Sequence, residues 1–132
     1  MADYVPSFKP GASITCTAGD TITGGRLVEI TGDRTVKVAS AGSTAVIGVA
    51  GYDATTGDNV TVFTRADGVH GLVASEAITA GASVSVADDG KIATATAPTE
   101  GGETEPGTPG SDIIGIALAA ADADDVVDVL FI

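Results

Sequence analysis

Val46-Ile47-Gly48-Val49-Ala50, leading to Asp58-Asn59-Val60-Thr61-Val62-Phe63, is written a second time as Ile113-Ile114-Gly115-Ile116-Ala117, leading to Asp125-Val126-Val127-Asp128-Val129-Leu130. At one constant offset Ile47-Gly48-Val49-Ala50 falls on Ile114-Gly115-Ile116-Ala117, Asp58 on Asp125, Val60 on Val127 and Val62 on Val129. Each copy is an apolar β-branched run, a polar connection, and a run that alternates apolar with polar. That pattern predicts a strand, a turn, and a strand with one buried face. A glycine inside such a run marks a bulge or a close backbone approach.

Working outward, Ile22-Thr23-Gly24-Gly25-Arg26-Leu27-Val28 matches Ile78-Thr79-Ala80-Gly81-Ala82-Ser83-Val84. A period of about sixty residues is too long for a solenoid unit and points to two matched halves of one β domain. The expected class is all-β, a small barrel or sandwich made of two pseudo-repeated halves, about 20–66 and 76–132, within a single domain over 12–132. Alanine-rich Ala117–Asp125 has helix propensity, but its match to Ala50–Asp58, with Thr55-Thr56-Gly57, predicts a loop or at most one helical turn.

Upstream of each copy, Arg26–Ile30 and Arg34–Val38 flank the polar turn Thr31-Gly32-Asp33, and Ala82–Val86 and Lys91–Ala95 flank Asp88-Asp89-Gly90. Both read as hairpins. Ala12–Thr17 and His70–Ala74 are further strands. Residues 1–11 read as an extended arm, because Pro6 and Pro10 block regular structure and bias their predecessors to extended geometry. The arm nonetheless carries Tyr4, Val5 and Phe8, which either pack back on their own domain or dock on another chain. Residues 98–112 are acidic, rich in Gly and Pro, and hold no large apolar residue, which predicts a flexible exposed loop inserted in the second half.

At 132 residues the chain supports one domain with a small core. With no tryptophan, that core must be built from Val, Ile, Leu and Ala. The net charge of −12 argues against binding a nucleic-acid backbone. It is uneven: residues 1–66 hold five basic and six acidic groups, whereas 67–132 hold one and twelve. A solvated acidic surface is the default reading; a polar molecule whose near-neutral half faces a partner is the sharper one. No run is long enough for a membrane helix and none reads as a secretory signal, so synthesis in a cytoplasm is expected.

Catalytic chemistry finds no support. His70 is the sole histidine and is expected on a hairpin surface. Cys16 is the sole cysteine, which excludes an intrachain disulfide and reads as a buried structural thiol. No nucleophile elbow accompanies them. One Cys and one His do not make a zinc site, and Asp122, Asp124 and Asp125 lack calcium-loop spacing. The expectation is no enzyme, no cofactor and no metal.

The arm Ala2–Gly11, the Ile47-Gly48-Val49-Ala50 stretch with Val60-Thr61-Val62, the run Ala77–Val84, and the ending Ile114–Ala117 with Val126–Phe131 together resemble the capsid cement, or head decoration, proteins of tailed bacteriophages. The resemblance covers most of the chain apart from the Pro98–Asp112 insertion. It implies a β domain on the outer surface of the capsid, made in the host cytoplasm, commonly a homotrimer at three-fold and quasi-three-fold positions. There it would bridge major capsid proteins and stiffen the shell, with Tyr4, Val5, Phe8 and Lys9 as capsid or subunit contacts, and with no nucleic acid or membrane as partner. The alternatives are a head fibre or adhesion module presenting the 98–112 loop to the host surface, and a small ligand binder using a cleft between the halves.

Overall fold

Alternation of apolar and polar residues yields ten strands among the described residues: β1 (Ser13–Ala18), β2 (Leu27–Gly32), β3 (Thr35–Val38), β4 (Val46–Ala50), β5 (Asn59–Thr64), β6 (Val69–Val73), β7 (Ser83–Val86), β8 (Ile92–Thr94), β9 (Ile113–Ala117) and β10 (Val126–Phe131). They are seen in a computed structural model that describes residues 13–65, 68–95 and 113–131. The arm at 1–11 and the loop expected at 98–112 lie outside these described residues.

The first five strands close into a barrel in the order β1-β3-β2-β4-β5. The second five form a sheet in the order β6-β10-β9-β7-β8, which is the ring order of the barrel read in the opposite direction from β1, once each strand is replaced by its counterpart. The ladders agree residue by residue. Val28 pairs Val38 where Val84 pairs Thr94, and Thr15 pairs Thr61 where Gly71 pairs Asp128. Closure differs. The parallel β1–β3 contact spans Thr17↔Thr35 and Ala18↔Val36, whereas the second half keeps only the counterpart of the latter, the bridge Ala74↔Ile92. The connection of residues 118–125 carries no helix; its bridge Ile78↔Ala121 repeats Ile22↔Ala54.

The repeated Ile-Gly pair is what lets each half roll. In both β2–β4 and β7–β9 the register slips by one residue, leaving Ile47 and Ile114 as the extra residues of bulges. A bulge bends its strand and increases the twist. The following glycines, Gly48 and Gly115, lie where an added Cβ would run into the carbonyl oxygens of Phe63 and Leu130. Only hydrogen fits at this crossing.

Two apolar clusters result. Cys16, Ile22, Val28, Val36, Val60 and Val62 fill the first barrel. Leu72, Ile78, Val84, Ile92, Ile114 and Val129 fill the second half, and Leu27, Ala39, Val46 and Val49 of the first half join this second cluster. A seam therefore packs the outer side of β2 and β4 against the second half. At its edge the turn Asp88–Gly90 sits on β2: Gly90 N–H donates to the Ala39 carbonyl at 2.8 Å, and Ala41 N–H to Asp88 Oδ1 at 3.0 Å. Arg26 Nη1 donates to the Asp89 carbonyl at 2.9 Å. The Arg65 guanidinium reaches two counterpart carbonyls, Val46 and Ile113, each at 3.4 Å. Among the described residues no buried side-chain polar atom lacks a partner, as expected where an orphan would cost 1–3 kcal/mol.

Gly48→Ala and Gly115→Ala should each destabilise the protein by about 1–3 kcal/mol, the usual range for overpacking. Urea denaturation followed by circular dichroism checks this. A substitution that left the midpoint unchanged would show that the crossing yields without cost.

Candidate interaction surfaces

Of the residues that the sequence singles out as contacts, Tyr4, Val5, Phe8 and Lys9 lie outside the described residues. The two residues singled out for their chemistry go to separate places. Cys16 points into the first barrel, buried, and burial pushes its thiol pKa up, partly offset by the Arg34 charge. A thiol held protonated is a poor nucleophile. His70 is not the plain surface residue expected. It is half-buried, its ring lies 4.7 Å from that of Phe131 at 53°, and its Nε2 is 3.2 Å from the Thr64 carbonyl. That contact needs Nε2 to carry the proton, so the ring serves as a strut over the β5–β6 junction.

Two shallow depressions occur at matching places in the repeat, with volumes of about 340 and 330 Å³. One is lined by Thr21, Thr23, Asp53, Thr55 and Asp58, the other by Thr79, Ala120, Asp122 and Asp125. The carboxylates of the first brace turns. Asp53 Oδ1 accepts from Gly24 N–H at 2.8 Å, and Asp58 Oδ2 accepts from the Thr55 hydroxyl and N–H at 2.8 and 3.1 Å. Those two Thr55 bonds hold the Asp58 carboxyl below the usual carboxylate range, outweighing a small opposing effect of burial. Among the described residues no group of three or more His, Cys, Asp or Glu side chains is placed to hold a metal ion. None of those residues forms a helix long and apolar enough to cross a membrane.

The notable surface is apolar. Val69 pairs Leu130, and Leu130 pairs Ile116, so these three side chains form a row across β6, β10 and β9 on the outer side of the second half, all exposed. Leu118 and Val126 flank it, also exposed. The row ends at Ser83, the partner of Ile116. In the first half the matching row runs Ser13, Phe63, Val49, Leu27, and its Val49–Leu27 end is covered by the seam. Strand periodicity indicates that these residues face outward; it does not show which of two matching rows is covered. Exposed aliphatics gathered on one face make this row a candidate contact surface.

Comparison with known proteins gives this architecture a family. The chain matches the phage cement protein family over residues 8–131 and belongs to it. It is similar in fold to the N base of head fibre gp8.5 of bacteriophage phi29, with a TM-score of 0.68 and 19% sequence identity over 91% of this chain and 92% of that one. No curated protein matches the chain. Family and fold are thus those of a phage structural protein.

The lowered Asp58 pKa gives a signed pH dependence. A carboxyl depressed on folding contributes stability above its unfolded pKa and loses it as pH falls through the folded one. At neutral pH Asp58→Asn should lower the melting temperature slightly, and the gap to the unsubstituted protein should close in acid. Thermal melts of both proteins across pH would check this; a gap that persisted in acid would assign the effect to packing instead.

Proposed function

We propose that this phage cement protein binds the outer surface of a capsid and stabilises the shell by bridging neighbouring major capsid proteins, acting as a homotrimer. Membership of the family across nearly the whole chain carries the reading. A braced all-β body with apolar residues on one outer row suits a binding part, whose work is contact area rather than chemistry. Tyr4, Val5, Phe8 and Lys9 are the capsid or subunit contacts in this reading. An extended segment docks through backbone hydrogen bonds plus a few side-chain anchors. Repetition across a trimer multiplies weak contacts, so overall binding exceeds any one of them without a large hydrophobic patch. The acidic surface faces solvent and keeps decorated particles apart.

A second reading is favoured by the likeness to a head fibre base: the body anchors to the head and the 98–112 segment is presented to the host surface. Both readings share attachment to the capsid and differ in what the outward side does.

Two deletions separate them. Removal of residues 2–10 should leave the cooperative melt intact and abolish saturable binding to undecorated capsids, measured by co-sedimentation. Unchanged saturation would remove the arm from the contact. Removal of 98–112 should leave capsid binding intact; loss of host adsorption with binding preserved would favour the fibre reading.

A further inference from the structure

We propose that copies of this chain associate head-to-tail, with Ile30 and the Gly32–Arg34 turn of one copy seated on the Ser83–Ile116–Leu130 row of the next. The argument starts from the seam inside the chain, which has two unlike sides. Its receiving side is the outer row of β2 and β4, Leu27 and Val49. Its inserting side is the end of β7 with the Asp88–Gly90 turn, where Val86 and Ala87 are buried. Because the ladders match, each side has a counterpart in the other half. Ser83 and Ile116 stand where Leu27 and Val49 stand, and Ile30 and Thr31 stand where Val86 and Ala87 stand.

Were the halves related by a two-fold, both pairs of sides would be covered together. They are not. Val49 is 6% exposed and Ile116 38%; Val86 is 3% exposed and Ile30 38%. The contact is therefore heterologous, and it leaves every chain with one uncovered inserting side and one uncovered receiving side. Each carries an exposed isoleucine at the point where its counterpart carries a buried aliphatic. Such paired, unlike surfaces on one molecule are what generate rings or chains of copies.

Charge opposes this pairing less than it would a contact between two acidic halves: the half that would insert is near neutral, with five basic and six acidic groups, and the half that would receive it is the acidic one. The copy-to-copy contact is not an identical repeat of the seam, however. Gly90 approaches the Leu27 backbone so closely that a Cβ there would lie 2.6 Å from its carbonyl oxygen. Arg34 stands in that place in the first half, at a positive φ of 46°, so its turn must seat farther out. Ile30 against Ile116 and Leu130 then carries the burial.

This inference specifies the surfaces of the homotrimer in the cement reading, but its test needs no capsid. Sedimentation velocity on the full chain, over a concentration series up to hundreds of micromolar, should show reversible self-association. Ile30→Asp and Ile116→Asp should each weaken it at least tenfold while leaving the circular dichroism spectrum and cooperative melt unchanged. Ile116→Thr, a good strand former, serves should Asp disturb β9. An equimolar mixture of Ile30→Asp and Ile116→Asp proteins keeps one intact pair of sides, and should form a 1:1 dimer and nothing larger. A chain that stays monomeric throughout, association untouched by either variant, or a mixture that stays monomeric would each overturn the proposal. Loss of capsid binding with this pattern intact would count against the cement reading alone.

Discussion

At Gly48 and Gly115 the backbone of one strand passes so close to the carbonyl of the next that only hydrogen fits between them. Each glycine follows a bulged isoleucine, and the two together turn a flat run of strands into a closed or nearly closed roll. Small barrels need such corners, because closure demands twist and a staggered register. Once the corner is set, the alternating residues of β5 and β10 fall inward and outward without further choice. Val60 and Val62 fill one interior, Val127 and Val129 the other. With no tryptophan to fill space, branched aliphatics packed at this spacing must supply the core, each contributing about 1.5–3 kcal/mol on full burial.

Duplication makes two such rolls, and joining them breaks the likeness. The second half inserts its Asp88–Gly90 turn against β2, and it can do so because Gly90 has no side chain. In the first half that position is Arg34, and the same turn is left outside. The connections diverge likewise. Residues 39–45 form a short link pinned by Glu29, whose carboxylate accepts from Ser40 N–H and the Ser43 hydroxyl, each at 3.0 Å. Ser85 stands in the place of Glu29 in the second half. Two matched halves thus make one body with a buried seam on one side and uncovered aliphatics on another.

Much of this is legible in the residues themselves. The Ile-Gly repeat, the two hairpin turns and the matched Ile22 and Ile78 stretches announce two β halves, because small and β-branched residues at fixed spacing leave few other folds. Strands β1 and β6 are counterparts as well, which the sequence hides: Ile14 faces His70 and Cys16 faces Leu72 in the comparison, so only the burial pattern is shared. His70 looked like a surface residue because a turn precedes it, yet its ring is held by Phe131, a contact across strands that no local pattern encodes. The seam was not legible either. Leu27 and Val49 read as ordinary strand residues, and their burial depends on where the other half lands. The proposal that Tyr4, Val5, Phe8 and Lys9 are contacts rests on composition and family resemblance, and these residues lie outside the described ones.

The functional proposal builds on that arrangement: an acidic all-β body of the phage cement protein family, with exposed aliphatics on one outer row, proposed to bind a capsid. Its central claim is that the bound protein strengthens the shell. Differential scanning calorimetry of genome-filled capsids lacking this protein, titrated with purified full-length chain, measures that directly. The account predicts that the shell transition moves upward and stops moving at a fixed number of copies per capsid. A transition that stayed in place while the protein bound to saturation would contradict it.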